Sequence, residues 1–248
     1  ELVRNGYIGD VKQVRVSIRT GFLPHPIQND LPAELKPDEL DWDLWQGQAP
    51  ARPYNSVLAP TIEFNGWPAW RNYRDYSGGG MTDWGAHHFD IAQWGLGMDH
   101  SGPVQVLPPN GSDAEELTYI YENGVELVTD FNDNRILFTG TEGWIEVNRS
   151  YIKAEPASLL SVELGSHDVH LYKSNNHKLD WLQAIHKRTK PIADVEIGGR
   201  SVTVCHLGNL AVQLQRPLRW NPETETFVND DEANRLIHRA PRSPWRII

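Results

Sequence analysis

Alternating apolar and polar residues predict strands in several regions of the chain. Residues 11–18 alternate with the period of two that is typical of a half-buried strand. Residues 115–131 contain two such runs, joined by Asn123-Gly124, a dipeptide typical of tight hairpin turns. Residues 135–156 continue the pattern, and we expect them to add further antiparallel strands.

Helices are expected at residues 81–96, at about 177–187 and at about 199–216. Residues 21–68 are rich in Pro, Asp and Trp and are too long for an ordinary connection. We therefore expect a functional loop that is packed by its own aromatic side chains. The tail, residues 219–248, is polar and is expected to be irregular. The expected order of elements is a strand, a long loop, a helix, a meander of strands and further helices. This order indicates an α+β fold with one mainly antiparallel sheet.

Charge and composition exclude several classes of partner. The net charge of −10 argues against binding to nucleic acid or to an anionic membrane, because phosphate groups would be repelled. No apolar run approaches the roughly 20 residues that span a bilayer. A single cysteine, Cys205, excludes an intrachain disulfide and a multi-cysteine metal site.

The stretch SGGGMTDWGAHHFD, residues 77–90, combines glycines, acids and histidines in a mixture that ordinary core or surface sequence does not need. On a helix over residues 81–96, Asp83, His87 and Asp90 share a face at spacings i, i+4 and i+7. A carboxylate beside an imidazole fixes its tautomer and raises its pKa, which makes a usable general base. The pattern therefore indicates a site of the acid/base type.

A structural origin of the same residues stays open at this point. An acid such as Asp83 is favourable in a first helical turn, and His87 with Asp90 can form a structural hydrogen bond. A metal ion shared by His87 and His88 is disfavoured, because adjacent helical residues point about 100° apart. We expect no metal site, and a packing or capping role for His88.

The run GGGMTDWGAHHFDIAQWGLG resembles the D-x-G-x-H-x-x-D motif of the glucose–fructose oxidoreductase/inositol dehydrogenase/rhizopine catabolism (Gfo/Idh/MocA) family. The segments GTEGWI, RSVTVCHLGN and LRWNP resemble one branch of that family and follow in the expected order. Members are NAD(P)-dependent oxidoreductases of sugars, cyclitols and related polyols, with an N-terminal Rossmann domain and a C-terminal domain built on a large sheet. The resemblance implies an open-faced sheet with helices on one face, and catalytic roles for Asp83 and His87.

The resemblance covers the second domain of such an enzyme and not the first. The chain contains neither Glu-Lys-Pro, the motif that carries the family's catalytic lysine, nor G-x-G-x-x-G. We interpret residues 1–248 as one substrate-binding and oligomerisation domain, in which residues 1–9 are the remnant of a link from a Rossmann domain. NAD or NADP is expected in the full-length protein, and none is expected to bind to this chain alone.

Candidate substrate contacts lie in the motif stretch, just before it and on the helix over 199–216. Sugars present C–H faces to aromatic rings and hydroxyl groups to polar side chains, so both kinds of residue are suitable. Solvent exposure or core hydrogen bonding is the alternative for the two on the late helix. The candidates are Arg71, Tyr73, Trp84, Asp90, His206 and Asn209.

The leading hypothesis is the substrate-binding domain of an NAD(P)-dependent oxidoreductase acting on a sugar or polyol hydroxyl, with His87 and Asp83 as the acid/base pair. A redox-neutral sugar lyase or hydrolase that uses the same residues is one alternative. A non-catalytic assembly or ligand-binding module is another. A cytoplasmic and an exported location both remain open.

The second face of the sheet predicts self-association. In the first strand of the hairpin, Thr118, Ile120 and Glu122 point away from the core side, so that face is mixed and not fully polar. A broad mixed face is a liability on a monomer, and a two-fold partner that uses the same patch covers it. We expect a homodimer or homotetramer through the open face of the sheet.

Overall fold

A computed structural model describes residues 1–19 and 30–245 of the chain. Nine strands in these residues form one sheet: β1 (Val11–Ser17), β2 (Gln105–Leu107), β3 (Leu117–Ile120), β4 (Glu126–Asp130), β5 (Arg135–Gly140), β6 (Trp144–Val147), β7 (Ile152–Glu155), β8 (Leu218–Asn221) and β9 (Thr226–Phe227). Their order is β7-β6-β5-β1-β4-β3-β2-β8-β9. β1 and β4 pair in parallel, and the other neighbours pair antiparallel. The prediction of a mainly antiparallel sheet is therefore confirmed.

The described helices are α1 (Trp42–Gln46), α2 (Trp84–Leu96), α3 (His177–Lys187), α4 (Val195–Leu214) and α5 (Asp231–Arg235). Of these, α4 is the longest, and none is both long and apolar enough to cross a bilayer. The strands predicted over 11–18 and 115–131 and the helix at 177–187 are confirmed to within a few residues.

Two predicted helix starts are wrong. The helix expected over 81–96 begins at Trp84, because the residues before it form a 3₁₀ turn. The helix expected from Gly199 begins at Val195, where the carboxylate of Asp194 caps it by accepting from the N–H of Glu196 (3.1 Å). The helix therefore begins before Gly198 and Gly199 and continues through them.

The prediction of an irregular tail over 219–248 is also wrong for the residues described there. β8 pairs with β2 and β9 pairs with β8, so the tail extends one edge of the sheet. Leu218, Trp220 and Phe227 are buried in this extension. Strands of two to four residues are too short to show an alternating pattern, and the three-residue β2 was missed for the same reason.

The loop predicted over 21–68 lies partly outside the described residues, which resume at residue 30. From there to residue 68 the chain is irregular except for α1. Trp42 and Trp45 stack with 4.7 Å between ring centroids, and Tyr54 and Tyr76 meet them edge-on at 5.4 and 5.1 Å. The loop is thus packed by its own aromatic side chains, as expected.

Two helices cover one face of the sheet. α2 lies over β1 and β5, and α4 lies over β2 and β3. Because side chains alternate along each strand, residues in register form buried rows beneath the helices. One row crosses eight strands: Ala154, Ile145, Phe138, Val14, Leu127, Tyr119, Val106 and Leu218.

The opposite face of the sheet is mixed, and the fold is the open-faced α+β fold expected. Arg15 bridges two acids there, with Nη1 at 2.7 Å from Glu116 Oε1 and 3.3 Å from Asp130 Oδ2. Half-buried Leu137 and Ile120 belong to the same face.

A close approach between α4 and the sheet gives the first prediction. Tyr119 is fully buried, and among the described residues its hydroxyl has no hydrogen-bond partner. A Cβ at Gly208 would overlap that hydroxyl and the methyl group of Met81. Gly208→Ala should therefore lower the free energy of unfolding by about 1–3 kcal/mol, although alanine favours a helix interior.

The same substitution should cost less in a Tyr119→Phe background, because the overlapping oxygen is gone. Urea unfolding of the four members of this cycle measures the coupling between the two sites. Equal costs of Gly208→Ala in both backgrounds would contradict the proposed overlap.

Candidate functional site

The motif stretch forms a tight turn and the start of α2. Gly79 has φ 68°, a left-handed conformation that favours glycine, and its carbonyl accepts from the N–H groups of Thr82 and Asp83 (3.1 Å each). Asp83 is then the N-cap residue, at φ −90° and ψ −95°, without a capping hydrogen bond from its side chain. These backbone angles are not helical, so the expected helical face shared with His87 does not include Asp83.

The carboxylate of Asp83 forms an ion pair with Arg71. The Arg71 guanidinium also lies over the Trp67 ring, 4.8 Å from its centroid, and 6.0 Å from the centroid of Trp70. Both partners of the ion pair are partly shielded, with side chains 17% and 26% exposed. Arg71, just after the long loop, therefore balances the charge of Asp83.

His87 and Asp90 lie one turn apart on α2 and line a second location. The His87 imidazole is exposed, with its ring centroid 5.8 Å from that of Trp84. Asp90 Oδ1 accepts a 2.6 Å hydrogen bond from Ser201 Oγ on α4. His87, Asp90 and Ser201 line a cavity of about 640 Å³ between α2 and the first turns of α4, which we call the His87 cavity.

His88 is buried and holds α2 to the sheet. Its Nδ1 lies 2.9 Å from the carbonyl oxygen of Ser17, and its Nε2 lies 3.0 Å from Nη1 of Arg149. A carbonyl can only accept and a guanidinium can only donate, so the imidazole is neutral with its proton on Nδ1. Burial lowers the pKa of His88 further, as does the nearby charge of Arg149. This is the packing role expected.

Asp83 faces a different cavity from His87. Asp83, Arg71 and His206 line a cavity of about 720 Å³, which we call the Asp83 cavity. His206 also lines an adjoining cavity of about 800 Å³ together with Asn209, which we call the Asn209 cavity. The Nδ2 of Asn209 donates to the carbonyl of Gly78 (2.8 Å) and so ties α4 to the glycine turn.

The eight candidate residues are thus divided among several environments. Arg71, Asp83, His206 and Asn209 border the two adjoining cavities, and His87 with Asp90 borders the third. Tyr73 is buried, with the Arg52 guanidinium 5.9 Å from its ring centroid. Trp84 is half-buried beneath Arg149, at 4.7 Å. Neither ring contributes to the walls of these three cavities.

Sequence reasoning missed three residues of these cavity walls. Ser201 lies on the buried side of α4, and its spacing alone gives no sign of the bond to Asp90. Arg74 lies between the long loop and the glycine turn, Arg239 lies in the tail, and both line the two adjoining cavities. The described residues contain no group of three or more side chains placed to hold a metal ion.

The family model for the C-terminal α/β domain of an oxidoreductase family matches residues 1–247. The chain therefore belongs to the Gfo/Idh/MocA family of oxidoreductases and corresponds to its C-terminal domain. No curated protein matches the chain.

Several solved structures are similar to the chain. Aldose-aldose oxidoreductase from Caulobacter crescentus, complexed with glycerol, has a TM-score of 0.49 and 16% identity, covering 88% of this chain and 58% of that one. The WlbA dehydrogenase from Bordetella pertussis, in complex with NADH and UDP-GlcNAcA, has a TM-score of 0.47 and 14% identity, covering 89% and 57%. An oxidoreductase domain protein from Kribbella flavida has a TM-score of 0.46 and 16% identity, covering 88% and 60%. The chain thus spans less than two thirds of the length of these proteins.

The neutral state of His88 predicts a pH dependence of stability. Because its pKa is lowered in the folded protein, the unfolded chain binds a proton first as the pH falls below the ordinary histidine pKa of about 6.5. The free energy of unfolding should therefore decrease as the pH falls through that value. His88→Asn should reduce this slope, while His186→Asn, at an exposed position on α3, should leave it unchanged.

Chemical denaturation at several pH values from about 7.5 to about 5.5 measures the slope. His206, whose pKa is also lowered, is present in all three proteins and contributes equally to each. A His88→Asn variant with the slope of the wild type would contradict the assignment.

Proposed function

We propose that this chain is the substrate-binding domain of an NAD(P)-dependent oxidoreductase that acts on a hydroxyl group of a sugar or polyol. The observation that supports it most is the placement of the motif histidine. The exposed imidazole of His87 borders a cavity whose wall also holds Asp90, and the two stand in the family's motif order. An accessible base beside a cavity of substrate size is suited to removing a hydroxyl proton.

In the proposed reaction His87 takes the proton of the substrate hydroxyl. Ser201 donates a hydrogen bond to Asp90, which holds this carboxylate in place on the α4 side of the His87 cavity. Asp83 acts differently from the sequence hypothesis: its carboxylate is bound by Arg71, so it shapes the adjoining cleft and is not the hydrogen-bond partner of His87.

The dinucleotide, when bound, supplies the redox chemistry by accepting hydride. The residues of this chain do not fit its pyrophosphate. The parallel strands β1 and β4 are not followed by a G-x-G-x-x-G turn and a helix, which such a site requires. We therefore propose that the N-terminal domain of the full-length protein holds the dinucleotide.

Replacement of the motif histidine tests this proposal. In the full-length protein, His87→Gln should lower kcat by about 10²–10⁴-fold, because the general base is lost. His186→Gln is the matched control and should behave as wild type, since this imidazole is exposed on α3. NAD(P)H absorbance over a panel of sugars and polyols measures the rates. Unchanged turnover by His87→Gln would rule out the role given to this residue.

We also propose that the open face of the sheet forms a homodimer or homotetramer interface. Two arginines on this face are paired within the chain, Arg15 with Glu116 and Arg135 with Glu146. A second copy can cover these two pairs without leaving either arginine unpaired. Half-buried Leu137 and Trp144 supply apolar area between the charged pairs.

A charge placed in the middle of this face should prevent association. We expect the wild-type protein to show at least twice its chain mass of 28.2 kDa in light scattering. Leu137→Glu should reduce the mass to that of one chain, because an unpaired carboxylate would be buried. Leu35→Glu, at a position that is 96% exposed, is the control and should keep the wild-type mass. A wild-type monomer would disprove the proposed interface.

A further inference from the structure

The Asp83 cavity and the Asn209 cavity meet at five residues, which we call the Arg74 junction: Gln48, Arg74, Gly78, His206 and Arg239. We infer that the Arg74 junction binds a carboxylate, so that the substrate of this domain is a sugar acid. The inference rests on the proposed function for the rest of the substrate.

Arg74 and Arg239, the two arginines of the Arg74 junction, have no carboxylate partner among the described residues, whereas nearby arginines do. Arg71 pairs with Asp83, and both line the Asp83 cavity; Arg200 pairs with Glu225, which lines the Asn209 cavity. Across the described residues, no carboxylate lies within ion-pair distance of the guanidinium of Arg74 or Arg239. Arg74 is also half-buried, which makes a guanidinium without an acid costly unless a ligand supplies one.

The junction is assembled from three distant parts of the chain. Nη1 of Arg239 donates a hydrogen bond to the backbone carbonyl of Arg74, which holds the tail against the segment just before the glycine turn. The side chain of His206 reaches the same place from α4. His206 and Arg239 line both cavities together. Desolvation lowers the pKa of His206, and so does the charge of Arg239.

The charge balance favours a carboxylate over a phosphate. Once Arg71 and Asp83 are counted as a pair, the Asp83 cavity retains two arginines and Asp75, which leaves a net charge of +1. This is a local excess of positive charge in a chain whose net charge is −10. One carboxylate compensates it, whereas a phosphate ester carries about −1.5 to −2 charges at neutral pH and would exceed it. Guanidinium groups also match the planar carboxylate by donating two parallel hydrogen bonds.

The test compares acidic sugars with neutral sugars of similar shape. Calorimetry on the 248-residue chain without dinucleotide would use D-glucuronate, D-galacturonate and D-gluconate against D-glucose, D-galactose and D-glucitol. At least one acid should bind about tenfold or more tightly than its neutral counterpart, since hydrogen bonds to charged groups are the stronger ones. D-glucose 6-phosphate tests the other source of negative charge.

Two substitutions should remove the preference for the acid. Arg74→Gln and Arg239→Gln should each weaken acid binding about tenfold and leave neutral sugars unaffected. Arg188→Gln, at an exposed position outside these cavities, is the matched control and should bind as wild type. Asp75→Asn should strengthen acid binding, because it removes the remaining negative charge of the Asp83 cavity. This opposite effect separates loss of the site from loss of folding.

Two binding results would overturn the inference: acids that bind no more tightly than their neutral counterparts, or a phosphate ester that binds more tightly than every acid. Failure of the proposed function has a different signature. It would appear as intact, arginine-dependent acid binding without NAD(P)H formation by the full-length protein. Turnover of neutral sugars in preference to acids would instead support the proposed function and contradict the carboxylate.

Discussion

The positions of His87 and Asp90 depend on the packing of α2 against the sheet and against α4. Phe89 meets Tyr119 of the sheet edge-on at 5.4 Å between ring centroids, and Ala92 is completely buried beside it. On α4, Cys205 and Ala211 are completely buried in the same core. Because α2 is fixed along its length, its first turns present His87 and Asp90 in one defined direction.

The motif is divided where α2 begins. Asp83 precedes the first helical residue, and its carboxylate pairs with Arg71, just after the long loop. His87 and Asp90 lie inside the helix and face the start of α4. One motif of eight residues thus borders two cavities, and each is completed by a different part of the chain. The glycine turn is bound to α4 by Asn209, and it fixes the position of Asp83 relative to His87 and Asp90.

The parts of this structure that could be predicted are those that depend on neighbouring residues. β1 and the β3–β4 hairpin could be predicted because apolar and polar residues alternate along them. α3 could be predicted from its helical periodicity. The ion pair of Arg71 with Asp83 and the hydrogen bond of Ser201 with Asp90 could not be predicted, although both acids were candidate site residues. Arg239 meets Arg74 across 165 positions, and no local pattern encodes such a contact.

The sheet's extension by the tail has a consequence for where this domain ends. A boundary drawn by polarity, at about residue 217, would remove the strand that pairs with β2 and would uncover the backbone groups of its three residues. Such an unprotected edge is a template for pairing with other chains and hence for aggregation. The truncation would also remove Arg239, which forms part of the wall of the Asp83 cavity. β8 and β9, in the region that was expected to be irregular, therefore belong to the smallest unit that keeps this edge of the sheet intact.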